Sequence, residues 1–242
     1  VTDELELTSV AQDYLKVVWS LQEWSTEPVT TKLLAERLGV GPSTVSETVR
    51  RLDGQGLLTH PRYGAIGLTD LGRRQALKIV RRHRLIETFL VSELGYTWDE
   101  VHDEAEVLEH AVSDLMIDRI DARLGHPHRD PHGDPIPSPD GTVPTPPAVT
   151  LAVLDAGAQG TVARISDADA EVLRYFAEIG FGLDAEVRVV ERRDFAGVIC
   201  IEWAPAEDVA ATTRIDFGLR AADAVWIVTE PVVAVSEAVV TQ

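Results

Sequence analysis

From Val10 to Glu23 the apolar residues return every three or four positions, the period of a helix with one buried face. The pattern recurs over Thr31–Leu38, where Gly39 stops it. It resumes after a Gly41-Pro42-Ser43 turn, in a helix expected to be N-capped by Ser43 and to run to about Gln55. Short helix, tight glycine-containing turn and second helix make a helix-turn-helix. Gly54 and Gly56 close the second helix. Leu57–His60 and Ala65–Leu68, separated by Pro61-Arg62-Tyr63-Gly64, then read as a two-stranded wing with a basic, aromatic tip. Two long helices are expected next, over about Asp70–Leu94 and Trp98–Leu124. Their apolar positions, such as Leu77, Leu85, Leu90, Val107, Val112 and Leu115, lie on more than one face, which suits a helical dimer interface.

The pattern breaks at residues 126–149, which hold eight of the thirteen prolines. Such density prevents regular helix and favours extended or turn structure, so a linker is expected, with His126, His128 and His132 on its surface. Beyond it come short apolar runs, Gly160–Ile165, Glu186–Val190, Val198–Trp203, Ile215–Phe217 and Val225–Val228, with one helix across Ala168–Glu178. The expected fold is mainly α with a small β domain. Residues 1–70 form a winged helix-turn-helix, 71–125 a helical domain, 126–149 the linker and 150–242 the β-rich domain.

Charge changes the picture. The chain carries −18, which argues against a protein that coats nucleic acid nonspecifically. Residues 31–82 nevertheless hold ten Lys/Arg against four Asp/Glu, a basic island in an acidic chain and the footprint of a local anion-binding module. On the second helix Ser43, Thr44, Ser46, Thr48, Arg50 and Arg51 offer a small polar and basic face suited to a major groove. Thr31, Lys32, Arg62 and Tyr63 are placed to hold the phosphate backbone. The expected partner is double-stranded DNA. No apolar run is long enough for a membrane helix, and the N-terminus opens on Asp3, Glu4 and Glu6 rather than a signal peptide, so a cytoplasmic protein with no membrane partner is expected. A single cysteine, Cys200, excludes an internal disulfide, a CxxC pair and a multi-cysteine zinc cluster.

The candidate chemistry lies on the two long helices. His83 and Glu87 are four apart, and His102, Glu106 and His110 are successive steps of four, with Glu109 three beyond Glu106. Imidazoles and carboxylates at these spacings can converge on one divalent cation. For any one such pair a solvated acidic face with packing or capping histidines is the simpler reading. Two clusters on adjacent helices beside a helix-turn-helix shift the balance to a metal site. A carboxylate-bridged metalloenzyme on the two helices is the rival from another class, but no nucleophile accompanies the cluster.

At these residues the sequence resembles the diphtheria-toxin-repressor family of metal-dependent transcriptional repressors, in its manganese-responsive branch. The likeness rests on Ala11-Gln12-Asp13-Tyr14-Leu15, on Ser43–Val49, on Arg82-His83-Arg84-Leu85-Ile86-Glu87, on Val101–His110 and on the Gly133–Pro137 turn. It implies a winged-helix DNA domain, a helical metal-binding and dimerisation domain, and a C-terminal SH3-like barrel in a homodimer that represses metal-homeostasis genes from palindromic operators. Carried over by position, a primary metal site uses Asp13, Glu106, Glu109 and His110, and an ancillary site His83, Glu87 and His102. Iron-responsive members place methionine and cysteine where this chain has Asp13 and Glu106. Three carboxylates and an imidazole suit Mn²⁺, a weak binder that prefers hard oxygen ligands, with Fe²⁺, Co²⁺ or other divalent cations as substitutes. The nearest alternative is an Fe²⁺-responsive repressor of the same fold.

Two positions depart from the family. Small manganese regulators with two adjacent metals carry a glutamate one helical turn after the aspartate, and here Lys16 stands there, which favours separated sites. Where iron-type members lend a Glu and a Gln from the SH3-like domain, this chain has Arg164 and Asp167, leaving only Asp167 as a ligand.

Overall fold

The computed structural model describes residues 7–229 except Tyr63 and Val209, and it divides into two compact units. The first takes the chain up to Leu90, Asp103–His128 and Pro135–Pro144; the second takes Val91–His102, Arg129–Asp134 and everything from Thr145.

In the first unit, helix α1 (Ser9–Glu23) starts at Thr8, whose hydroxyl accepts the Ala11 N–H, and buries Ala11, Tyr14, Leu15 and Val18 on one face. Helix α2 (Thr31–Leu38) is capped in the same way by Thr30 and ends on Gly39 at φ 64°, a left-handed conformation that suits glycine. Helix α3 (Pro42–Gly54) differs from expectation at its start. Its N-cap residue is Gly41 with no side-chain bond, and Pro42, whose fixed φ is preset for helix, occupies the first turn. Ser43 is therefore inside the helix and does not cap it. Val45, Thr48, Val49 and Leu52 face the core, so Thr48 leaves the expected groove face, while Ser43, Thr44, Arg50 and Arg51 stay exposed. The wing is an antiparallel pair, β1 (Leu58–Thr59) and β2 (Gly67–Leu68), with Leu58 opposite Leu68. It lies against helix α4 (Asp70–Leu94) so closely that a Cβ on Gly72 would stand 1.9 Å from the Leu57 carbonyl oxygen.

The second long helix of the sequence reading is two helices, α5 (Val101–Leu108) and α6 (Asp114–Arg123). The apolar period runs through the break, but Ser113 caps α6 by accepting the Met116 N–H, so Glu109–Val112 form a turn. Part of the proline-rich segment is strapped down rather than loose. Ile136 is buried, and two arginines of α4 hold the carbonyls beside it, Arg84 at Pro135 (2.6 Å) and Arg81 at Pro137 (2.8 Å).

In the second unit, among the described residues, six strands form one antiparallel sheet ordered β3 (Ala148–Thr150), β8 (Val225–Thr229), β4 (Gln159–Ile165), β5 (Glu186–Arg193), β6 (Val198–Ala204), β7 (Thr213–Gly218). Helices α7 (Ala170–Ile179) and α8 (Leu219–Asp223) close it over a core of Phe176, Phe181, Phe217 and the alternating Val162, Val187, Val189, Ile199, Ile201 and Ile227. This is an SH3-like domain. The short β3 follows directly on the prolines, which hid it. His132 also departs from the linker reading: it is fully buried, stacks on Trp98 with ring centres 6.3 Å apart, and its Nε2 bonds the Trp98 carbonyl oxygen. No helix among the described residues is long and apolar enough to cross a membrane.

Candidate metal centre

Three elements of the first unit bring the donors together: α1, α4, and the segment running through α5 into its following turn. Asp13, on the second turn of α1, accepts from His110 (Oδ1 to Nε2, 2.8 Å), and the other ring nitrogen of His110 bonds Gln12 Oε1 at 2.8 Å. One donor atom each from Asp13, Glu109 and His110 lies within 4.8 Å of the others. Glu109 is fully buried and splits its carboxylate: Oε1 meets Lys16 Nζ at 2.5 Å and Oε2 meets His83 Nδ1 at 2.5 Å. His83 continues to Glu87 through Nε2 at 2.9 Å. Glu106 is drawn to Lys16 at 2.7 Å.

The expected helical ladder is thus altered. His110 lies in the turn after α5, not on the helix that carries Glu106. Glu109 of the expected primary set also bonds His83 of the expected ancillary set, and its other oxygen meets Lys16. The remaining expected ligands, His102 and Asp167, belong to the second unit, where His102 Nδ1 stands 3.2 Å from Asp167 Oδ2. Arg164 is no ligand: its guanidinium lies 4.3 Å from the Trp226 ring centre and bonds Asp134 at 2.6 Å. Sequence reasoning did not foresee Gln12 as the partner of His110, or that a lysine would be buried among the carboxylates. A lysine on the Asp13 face of a helix was its only trace.

The ionisation states follow from this packing. Burial would push the Glu109 carboxyl up, but His83 and Lys16 outweigh it and hold it below the ordinary value. Burial raises the Asp13 carboxyl against the opposing pull of His110 and Lys16. Burial lowers the Lys16 ammonium, yet Glu109 and Glu106 overcome it and leave it raised. For His83, burial opposes the charged ring, but Glu87 and Glu109 prevail and hold its pKa up at about 9. Asp167 is held well below its ordinary range, as His102, His132 and Arg164 outweigh its burial.

The His83 shift has a definite sign. The folded value, about 9, lies above the ordinary 6.5, so the stability this ring lends is complete below about pH 6.5 and is lost as pH rises through about 9. Thermal melts of metal-free protein should fall over that window. His83→Gln should remove the slope, and an unchanged slope in that variant would assign the effect elsewhere.

The donor set fits a hard or borderline divalent cation. Carboxylate oxygens and one imidazole converge at Asp13, Glu109 and His110, and no sulfur accompanies them, with Cys200 in the other unit and Met116 half-exposed on α6.

Of the residues expected to meet DNA, Ser43, Thr44, Arg50 and Arg51 are exposed on α3, Lys32 on α2 and Arg62 at the wing tip. Thr31 is half-buried at the start of α2, and Ser46 spends its hydroxyl on the Pro42 carbonyl at 2.9 Å. Tyr63 lies outside the described residues.

A winged helix-turn-helix, a helical unit with a buried carboxylate–imidazole cluster and an SH3-like domain together define a narrow class of protein. Residues 6–66 match the iron dependent repressor N-terminal DNA binding domain, 69–138 the metal binding and dimerisation domain of that repressor, and 149–228 the FeoA domain. The chain belongs to the iron-dependent repressor family, that of the diphtheria toxin repressor. IdeR of Mycobacterium leprae is 35% identical over 159 residues, 63% of this chain and 69% of that protein. IdeR of Mycobacterium tuberculosis is 38% identical over 132 residues, and the match spans 57% of its length. A manganese-dependent transcriptional repressor solved in complex with manganese superposes with a TM-score of 0.86 at 61% identity, covering 91% of this chain and 100% of that one. ScaR with bound Cd²⁺ superposes at 0.76 with 31% identity, over 91% and 99% of the two chains. These relatives are repressors, which sets the metalloenzyme alternative aside.

Proposed function

We propose that the chain is a Mn²⁺-activated homodimeric repressor that binds palindromic operators of metal-homeostasis genes in the cytoplasm. The observation that carries the reading is the sulfur-free cluster of Asp13, Glu109 and His110, which joins the first helix of the DNA-binding part to the turn between α5 and α6. Asp13, Glu109 and His110 would hold the ion, with Glu106 as a further donor, and the ion would supply a divalent charge binding these oxygens together. Two further donor pairs are His83 with Glu87 and His102 with Asp167. The manganese-dependent repressor at 61% identity supports the choice of metal, while the iron-dependent names among the curated relatives keep Fe²⁺ as the alternative.

What the chain itself contributes is position. Fixing α1 against the α5–α6 turn sets where α3 stands, and two copies must present α3 at the spacing of successive major grooves. Exposed Val107, Leu115 and Met116 on α5 and α6 give the second copy an apolar face to cover. A clean switch from 1:99 to 99:1 needs about 5.5 kcal/mol of preference for the competent arrangement. Operator binding titrated with Mn²⁺, anaerobic Fe²⁺, Zn²⁺ and no metal tests the proposal. The expected result is binding that rises with Mn²⁺ at the lowest concentration. A stronger response to Fe²⁺ selects the alternative, and metal-independent binding removes both.

The phosphate contacts should show in the salt dependence, with log K falling by about 0.9 per phosphate neutralised for each decade of salt. Arg62→Ala should weaken every duplex and flatten that slope by about one unit per protomer. Thr44→Ala should change which operator is preferred and leave the slope alone. Equal loss of slope in both variants would mean that α3 does not read bases.

A further inference from the structure

Lys16 is the misfit of the centre. Lysine is among the residues least often buried, and this one is 7% exposed in the middle of α1. It stands three residues after Asp13 on the same helix face, and its ammonium bridges Glu106 Oε1 at 2.7 Å and Glu109 Oε1 at 2.5 Å. Glu109 Oε1 also faces His110, 3.4 Å from its Nε2. The other oxygen of Glu109 is taken by His83. Any cation shared by Asp13, Glu109 and His110 therefore reaches for the oxygen that Lys16 already holds.

We infer that Lys16 is a built-in competitor of the metal: a tethered monovalent cation that neutralises Glu106 and Glu109 in the metal-free protein, and that weakens metal binding. The inference rests on the metal-activated reading above and gives it a threshold. Without Lys16, Glu106 and Glu109 would lose the ammonium they share, and a divalent ion would meet two carboxylates beside Asp13 with less positive charge against them. With Lys16, the first ion must displace or share the ammonium, and a second ion meets a positive charge where it would need a ligand. The centre takes one ion, and it fills only when metal is abundant. A lysine that serves as a plain strut makes the opposite forecast, because its loss would disorder the ligands and weaken binding.

Mn²⁺ affinity, measured on the full-length protein by competition with a fluorescent chelator, separates these roles. Lys16→Met keeps the length and removes the charge. It should bind Mn²⁺ at least about tenfold more tightly, while its metal-free form melts at a lower temperature because buried Glu109 has lost a counter-charge. Lys16→Arg should bind within a few-fold of the parent, by charge alone. Lys16→Glu should take up one more Mn²⁺ per protomer. The parent protein provides a check that needs no substitution. The Nζ resonance of Lys16 in ¹⁵N-lysine-labelled protein should shift on adding diamagnetic Cd²⁺, in step with occupancy. Unchanged or weaker Mn²⁺ binding by a folded Lys16→Met overturns the inference, as does an Nζ signal indifferent to Cd²⁺. Failure of the repressor reading appears elsewhere, as parent protein that binds Mn²⁺ without gaining affinity for any operator, and leaves the comparison of variants intact.

Discussion

Asp13→Ala and His110→Ala are each expected to abolish metal-stimulated operator binding while leaving the protein folded. Both side chains are only partly buried and neither belongs to the apolar core, so their loss opens no large cavity. Their partners include each other, Gln12 and Glu109, and Gln12 stays paired with His110 when Asp13 is removed. What each variant loses is one of three donors linking α1 to the turn after α5. Groups that merely support a metal ligand are worth about 10- to 100-fold in affinity, and a ligand itself should exceed that, so a loss of at least about 100-fold is expected. Mn²⁺ titrations read through DNA binding, with circular dichroism as a control for folding, give the answer. Normal response of either variant at moderate Mn²⁺ would show that the ligands lie elsewhere. A companion exchange of Asp13 to Met with Glu106 to Cys should move the metal preference from Mn²⁺ towards Fe²⁺ or Co²⁺.

The largest effect on stability is expected at Arg84. Its guanidinium forks onto Glu23, Nη1 to Oε1 at 3.0 Å and Nη2 to Oε2 at 2.5 Å, and Nη1 also reaches the Pro135 carbonyl. Side-chain exposure is 8% for the arginine and 2% for the glutamate. Alanine at position 84 strands a buried carboxylate and a buried carbonyl together, a loss of about 3–5 kcal/mol. For a chain of this size the melting midpoint of that unit should fall by roughly 10 °C. Arg84→Met combined with Glu23→Leu should recover much of it, since no charge is then left without a partner. A single variant that costs under about 1 kcal/mol would mean that water reaches Glu23.

How far the sequence reveals this structure depends on where the determining contacts lie. The helix-turn-helix is spelled out locally: the apolar spacing, Gly39 and Pro42 mark α2 and the start of α3 within a residue or two. The strands of the second unit show locally too, as short apolar runs such as Glu186–Val190 in β5 and Val198–Trp203 in β6. The apolar pattern hides the α5–α6 break because Val107, Leu108, Val112 and Leu115 keep a helical period across it, although Ser113-Asp114 is itself an N-cap signal. The burial of His132 is not legible, because proline density says a segment is not helical and does not say whether it is buried. The donor types at the centre were legible, since spacings of three and four on helices are local. That Glu109 would touch both Lys16 and His83 was not, because those contacts reach across 93 and 26 residues and depend on how α1, α4 and α5 pack.

The turn between α5 and α6 carries one further consequence, for the speed of response. Glu109 and His110 sit where neither helix claims them. Glu109 and Val112 still donate back to α5, at Ala105 and Leu108, and Ser113 opens α6 afresh. Arg82 of α4 holds the Glu109 carbonyl at 3.0 Å and pairs with Asp114 on the far side. The partly exposed His110 side chain can therefore reorient by changing a few turn dihedrals, with both flanking helices and the Arg82 staple left in place. Rearrangement of that size belongs to the nanosecond-to-microsecond range of loops, far faster than the opening of a helix pair. The lag between a rise in metal and a change in DNA occupancy should then be set by encounter with the ion and with the operator, not by the fold.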